Sequence, residues 1–214
     1  MNLEITHPEK PTLQDKIDDN DYMLPHHLSG VLPDFSNFPG AKIRLPILIE
    51  KKTVTDASSV TFDNLNGDQD IEYLFVYDIT HPNTSAGGNI RILPNNISTN
   101  QRFAASGADY NSNGHYRWQG PQLYFAHFEP NLLIRSIGQV SFFAKTGLNR
   151  VSEGKNRFYG SNNNIWIIDF ASVWNDTTTN ITSFVLSPDV SKTFTGTISL
   201  YKIIEIDIQD LETP

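Results

Sequence analysis

From Ala41 onward the apolar residues of this chain fall in short runs with a period of two, and no apolar set recurs at helical spacing for three turns. Alternate residues of a strand face one side, whereas an amphipathic helix needs a 3.6-residue repeat. The runs RLPILIEKKTVT, SSVTF, IEYLFVYDI, NIRIL, QLYFAHFE, GQVSFFAKTG, NIWIIDFASVW, ITSFVLS and GTISLYKIIEIDI are β-branched or aromatic, and Gly, Pro, Asn or Asp bounds them. Such runs read as strands. About nine of them at short intervals predict an all-β fold, two antiparallel sheets packed as a β-sandwich or jelly roll. No short repeat points to a propeller or solenoid. The stretch QRFAASGADYNSNGHYRWQGP, residues 101–121, reads as a loop.

Residues 1–40 differ from the rest. Five prolines are spread along them, and proline removes a backbone donor and fixes φ. TLQDKIDD can make one or two helical turns capped by Thr12. Otherwise an extended N-terminal arm is expected, ahead of a sandwich domain at 41–208 and a tail at 209–214. Its apolar residues Leu24, Leu28, Val31, Leu32, Phe35 and Phe38 are too many for a solvated linker and predict docking on another surface.

Two strands are apolar on both faces. In IEYLFVYDI, Tyr73, Phe75 and Tyr77 point one way and Leu74 and Val76 the other; in GTISLYKIIEIDI, Tyr201 and Ile203 oppose Ile198, Leu200 and Ile204. A strand with one wet face should alternate apolar and polar. Cover on both faces comes either from the same chain or from a subunit interface. Tyr73, Phe75 and Tyr77 are the candidates for such an interface, with a homo-oligomer, most simply a trimer, as the consequence.

The acidic stretch DNLNGDQD lies between two of these strands. Asn66-Gly67 is the dipeptide most favoured in a two-residue type I′ turn, so a hairpin corner is expected. Asn64, Asn66, Asp68 and Asp70 are calcium candidates by their alternation, although the EF-hand spacing and its terminal Glu are absent. Leu65 is expected in the core beside the turn, with Asp68 or Asp70 accepting backbone N–H bonds.

Read with its flanks, this stretch belongs to a longer pattern. SSVTFDNLNGDQDIEYLF at 58–75, GGNIRILPNN at 87–96, VSFFAKTG at 140–147 and VWNDTTTNITSFVLSPDVSKTFTGTISLYKI at 173–203 occur in that order. The pattern resembles a domain of virion structural proteins of tailed bacteriophages. It covers residues 58–203 and leaves out 1–57 and the IEIDIQDLETP tail. The resemblance implies a β-sandwich or jelly-roll module on the particle, used for decoration, attachment or host contact. It brings no catalytic residues. In the same segments Asn175, Asp176 and Asn180 are expected to close side-chain turns, and Gly196 to let the last strand pack closely.

Other chemistry is sparse. The chain has no cysteine, which excludes disulfides, thiolate metal sites and cysteine nucleophiles. Six histidines lack HExxH or clustered spacing, so no zinc site is expected. No GxSxG, P-loop or GxGxxG is present. The net charge of −8 and isolated Arg102, Arg117 and Arg135 argue against nucleic acid and anionic membranes. No apolar run reaches the ~20 residues that cross a bilayer, and the N-terminus does not read as a signal peptide.

In 101–121, Tyr110, His115, Tyr116 and Trp118 stand among Asn, Ser and Gly, a mixture suited to a sugar or a protein contact. The alternative is that Tyr116 and Trp118 tuck under the loop. The expectation is therefore a non-enzymatic virion structural protein without cofactor, made in the bacterial host cytoplasm, with other virion proteins as partners. A receptor- or carbohydrate-binding module is the second reading, and a polysaccharide-degrading enzyme using paired carboxylates the third.

Overall fold

The computed structural model describes residues 42–81, 88–109, 115–128, 134–159, 165–189 and 192–207. Among the described residues there are twelve strands and no helix. They are β1 Lys42–Ala57, β2 Val60–Phe62, β3 Glu72–His81, β4 Gly88–Pro94, β5 Gln101–Asp109, β6 His115–Gly120, β7 Tyr124–Phe128, β8 Ile134–Phe143, β9 Arg150–Tyr159, β10 Ile165–Trp174, β11 Phe184–Pro188 and β12 Phe194–Asp207. The extended N-terminal arm and its docking residues Leu24, Leu28, Val31, Leu32, Phe35 and Phe38 lie outside the described residues.

The strands form two antiparallel sheets. The larger runs β1-β12-β3-β8-β9-β10-β5-β6 and the smaller β2-β11-β4-β7. Early strands find late ones, as in a long hairpin folded over: β2 pairs β11, β4 pairs β7, and β5 pairs β6. β3 and β10 would complete the series, but the β8–β9 hairpin stands between them. This is jelly-roll connectivity with one extra hairpin, and with β12 and β1 added beyond β3.

The chain divides into two compact units, residues 1–48 with 202–214 and residues 49–201. In the first, the described ends of β1 and β12 carry exposed ion pairs, Lys42 to Glu205 at 3.2 Å and Arg44 to Glu205 at 3.7 Å. In the second, Thr53 and Thr197 hydroxyls meet at 3.3 Å and the Asp56 N–H donates to Thr195 Oγ1 at 2.9 Å. There β12 also runs close to β3: a Cβ on Gly196, at φ +144°, would fall on the Asp78 carbonyl and the Ile79 Cα. That close approach was the expectation for Gly196.

The core of the second unit lies between the sheets and is largely aromatic. Phe184 of β11 meets Tyr73, Phe75 and Phe142 edge-on, with centroids 5.4, 5.3 and 4.9 Å away. Phe125 of β7 takes Phe75 and Tyr77 at 5.6 and 4.5 Å. This overturns the assignment of Tyr73, Phe75 and Tyr77 to a subunit interface: they are 0, 0 and 3% exposed, covered by the small sheet of their own chain. Their opposite-parity neighbours Leu74 and Val76 are only half-buried. The larger, more apolar set of the strand marks its core face.

Three strands were not legible. β5 and β6 replace the expected loop at 101–121 with an antiparallel pair, and β9 occupies a segment absent from the expected strands. β5 is built from small residues of low strand preference, yet Ala105 is the cross-strand partner of bulky Trp118, small beside large.

Candidate binding surface

The inner side of the large sheet holds a polar clasp. β9 buries Arg150, Ser152, Asn156 and Phe158 and exposes Val151, Glu153, Lys155 and Arg157, so three polar residues point inward while Val151 points out. Arg150 is 1% exposed. Its Nε donates to the Ala144 carbonyl at 3.0 Å, Nη1 to the Asp176 carbonyl and Nη2 to the Thr179 carbonyl. The Asp176 carboxylate stands 3.4 Å from Nη1, and the Trp174 ring centroid lies 5.0 Å from the guanidinium carbon. A buried cation persists only when its donors are met this fully.

Asp176 is fixed from its other side. Its Oδ1 accepts the Thr178 and Thr179 N–H groups, both at 2.9 Å, and Oδ2 the Thr179 hydroxyl at 2.7 Å. Burial works to raise this carboxyl, but the Thr179 and Thr178 hydrogen bonds and the Arg150 charge outweigh it, and the pKa falls to about 2. The expected side-chain turn at Asp176 is present. Asn180 instead reaches across the fold, its Oδ1 accepting the Asp68 N–H at 3.1 Å.

That contact explains DNLNGDQD. The segment is not a hairpin corner but a crossing from β2 in the small sheet to β3 in the large one. Neither Asn66 nor Gly67 has positive φ; Asn64 at 60° and Ile71 at 30° do. Gly67 is needed for space, since a Cβ there would sit 3.0 Å from the Ile181 Cβ and 3.1 Å from the Ala144 Cβ. The Leu65 and Gly67 N–H groups donate to the Thr182 and Ile181 carbonyls at 3.0 and 2.9 Å. Leu65 is buried in the core as expected.

The calcium candidates are used in the same way. Asp68 Oδ1 accepts the Thr146 N–H at 3.3 Å, Asp70 Oδ2 the Tyr73 hydroxyl at 3.1 Å, and Asn66 Oδ1 the Asn180 amide at 3.2 Å. Exposed Asn64 takes up the left-handed turn. These oxygens of Asn66, Asp68 and Asp70 serve protein donors. Among the described residues no group of three or more His, Cys, Asp or Glu is placed to hold a metal.

The ligand-loop candidates separate. Tyr110 lies outside the described residues, and for His115 and Tyr116 only the backbone is described, paired with Ala108 and Gly107. Trp118 is half-buried and packs against the core, with its ring 6.2 Å from His127. The tucked alternative therefore describes Trp118. His127 also abuts Phe158 at 5.5 Å and bonds Asn89 Oδ1 at 2.9 Å. Burial, only partly offset by Asp189, pushes its imidazole down to about 4.

The outer face of the large sheet carries two concavities. A concavity of about 770 Å³ spans β10, β5 and β6, with Ala104, Ser106 and Ala171 as its floor and Arg117, Gln119 and Asp169 around it. A second, of about 310 Å³, lies over β3, β8 and β9 beside Val76, Ile137, Gln139, Lys155 and Arg157. Between two sheet strands, small floor residues leave a depression while long neighbours form walls. Sequence reasoning missed Ser106, Gln119 and Lys155, because their strand parity becomes visible only once β5, β6 and β9 are known, and Asp169, because its neighbours in the row come from β5 and β9. No family model matches the chain, and no curated protein matches it.

Proposed function

We propose that this chain is a non-enzymatic structural protein of a tailed-bacteriophage particle. In this reading residues 1–40 dock on capsid or tail proteins through Leu24, Leu28, Val31, Leu32, Phe35 and Phe38. The jelly-roll domain is displayed, as a trimer whose contacts lie elsewhere than the core rings of β3. The observation that supports it most is convergence. Three segments that carry the phage resemblance, 58–75, 140–147 and 173–203, are distant in sequence but meet in one hydrogen-bonded knot. There Leu65 and Gly67 donate to Thr182 and Ile181, Thr146 to Asp68, and Gly147 to Thr177 at 2.7 Å. Residues that hold one another in place form a pattern with a physical cause. Jelly rolls also serve in viral capsid and lectin domains, which is support by analogy only.

The test is to isolate particles from cells that make the full chain and to measure its copy number per particle by mass spectrometry. The reading expects a fixed stoichiometry that falls to background when residues 1–40 are deleted, while the deleted protein keeps its melting transition. Absence of the full chain from purified particles rejects it.

A second reading, a receptor- or carbohydrate-binding module, is favoured by the concavity beside Ser106, Arg117, Gln119 and Asp169. It places recognition on the outer sheet face rather than on Trp118.

A further inference from the structure

We propose that the outer face of the eight-stranded sheet binds a linear acidic saccharide laid across its strands. This rests on the second reading above and is independent of the particle assignment. The antiparallel registers place Gln139, Lys155, Asp169, Ser106 and Arg117 side by side on β8, β9, β10, β5 and β6. All five are exposed. Strands ~4.8 Å apart make that row ~19 Å long, the reach of a short oligosaccharide. The two concavities, of about 770 and 310 Å³, lie at its opposite ends.

The chemistry of the row is mixed in a particular way. Arg135 is held by Asp78 in a two-pronged pair at 2.8 and 2.6 Å. Among the described residues Arg102, Arg117, Lys155 and Arg157 form no ion pair, and on β8, β9, β10, β5 and β6 the face sets only Glu153 and Asp169 against them. It is therefore locally cationic on a chain of net charge −8. Arg117, Lys155 and Arg157 can meet anions spaced along a polymer, while Asp169, Gln119, Gln139 and Ser106 take hydroxyls as acceptors or donors. A saccharide with a charge at intervals and hydroxyls between fits that alternation. Single-stranded DNA fits less well: it offers almost no hydroxyls between its charges for Asp169, Gln119, Gln139 and Ser106, and no aromatic side chain stands in the row for a base to stack on.

The experiment is calorimetric titration of the full chain, at low salt, with four probes. These are polygalacturonate oligomers, a sugar-phosphate polymer of hexoses joined by phosphodiesters, neutral dextran oligomers of matched length and single-stranded poly-dT. Binding of either acidic polymer above dextran and poly-dT is expected, the tighter one identifying a carboxylate or a phosphodiester. The exposed triple variant R117S/K155S/R157S, shown folded by an unchanged melting temperature, should weaken it about tenfold. Salt at about 0.5 M should weaken it similarly. Equal affinity for dextran, tighter binding of poly-dT, or an unaffected triple variant overturns the proposal. If the triple variant binds normally but replacing Tyr110 and Tyr116 abolishes binding, the saccharide reading stands and this placement falls. If none of the saccharides binds, both fall.

Discussion

β3 and β9 flank the same strand, β8, and both turn one face toward the small sheet, yet they do so with opposite chemistry. β3 fills its inner face with Tyr73, Phe75, Tyr77 and Ile79; β9 fills most of its own with Arg150, Ser152 and Asn156. On β3 burial is favourable residue by residue, at roughly 2 kcal/mol for each large apolar side chain. On β9 nothing favours burial until the partners are in place. Asn156 donates to the Tyr77 hydroxyl at 2.7 Å and to Ser136 Oγ at 2.6 Å, and the Tyr77 hydroxyl donates in turn to the Phe125 carbonyl at 3.0 Å. The aromatic strand thus drives the packing, and the polar strand fixes which arrangement is allowed. Ser152 Oγ and Asn156 Oδ1, also buried on β9, have no such partner among the described residues and carry the desolvation cost that the other groups avoid.

The contrast can be broken by substitution. The largest effect is expected from Phe75→Ala, which opens a hole among Phe62, Phe125 and Phe184 and should lower stability by about 4 kcal/mol in urea unfolding. Arg150→Ala should cost about 3 kcal/mol, because it strands the carbonyls of Ala144, Asp176 and Thr179. A loss below 1 kcal/mol would mean that the clasp is tolerated rather than required.

Acid gives a smaller, graded effect. The Asp176 pKa is depressed in the fold to about 2, so its contribution is complete above the unfolded carboxylate range near 4 and disappears as the pH falls toward 2. Unfolding midpoints measured across that window should decline with acid, and Asp176→Asn should flatten the decline. The smallest effect belongs to the other side of β9. Lys155→Ser on the exposed face should move stability by less than about 0.5 kcal/mol, and a larger loss would show that the outer face is structural.

The same contrast governs how much of the molecule was legible. β3 and β10 are rich in β-branched and aromatic residues and stand out locally. β9, RVSEGKNRFY, has the right period but the wrong polarity: Val151 is 39% exposed while Arg150 is covered. Only knowledge of Asp176 and Thr179, some 26 and 29 residues on, explains that inversion. Asn66-Gly67 misled for a related reason. The dipeptide has a strong local meaning, but here Ile181 and Thr182, more than a hundred residues away, decide the backbone. Of the candidate surface, Arg117 and Trp118 lay in a segment singled out beforehand, whereas the facing row of Lys155 and Asp169 required the register of β9 on β10.

The pairing of β1 with β12 imposes an order on biosynthesis. Thr53 meets Thr197 and Asp56 meets Thr195, separations of 144 and 139 residues. A strand that emerges early from the ribosome must therefore wait with its hydrogen-bonding edge uncovered until nearly the whole sandwich has followed it. Sheets closed by so distant a partner form slowly, and the waiting edge can recruit a neighbouring nascent chain. Pro46 and the charges at Glu50, Lys51 and Lys52 sit on that strand, where they discourage such recruitment until its partner arrives.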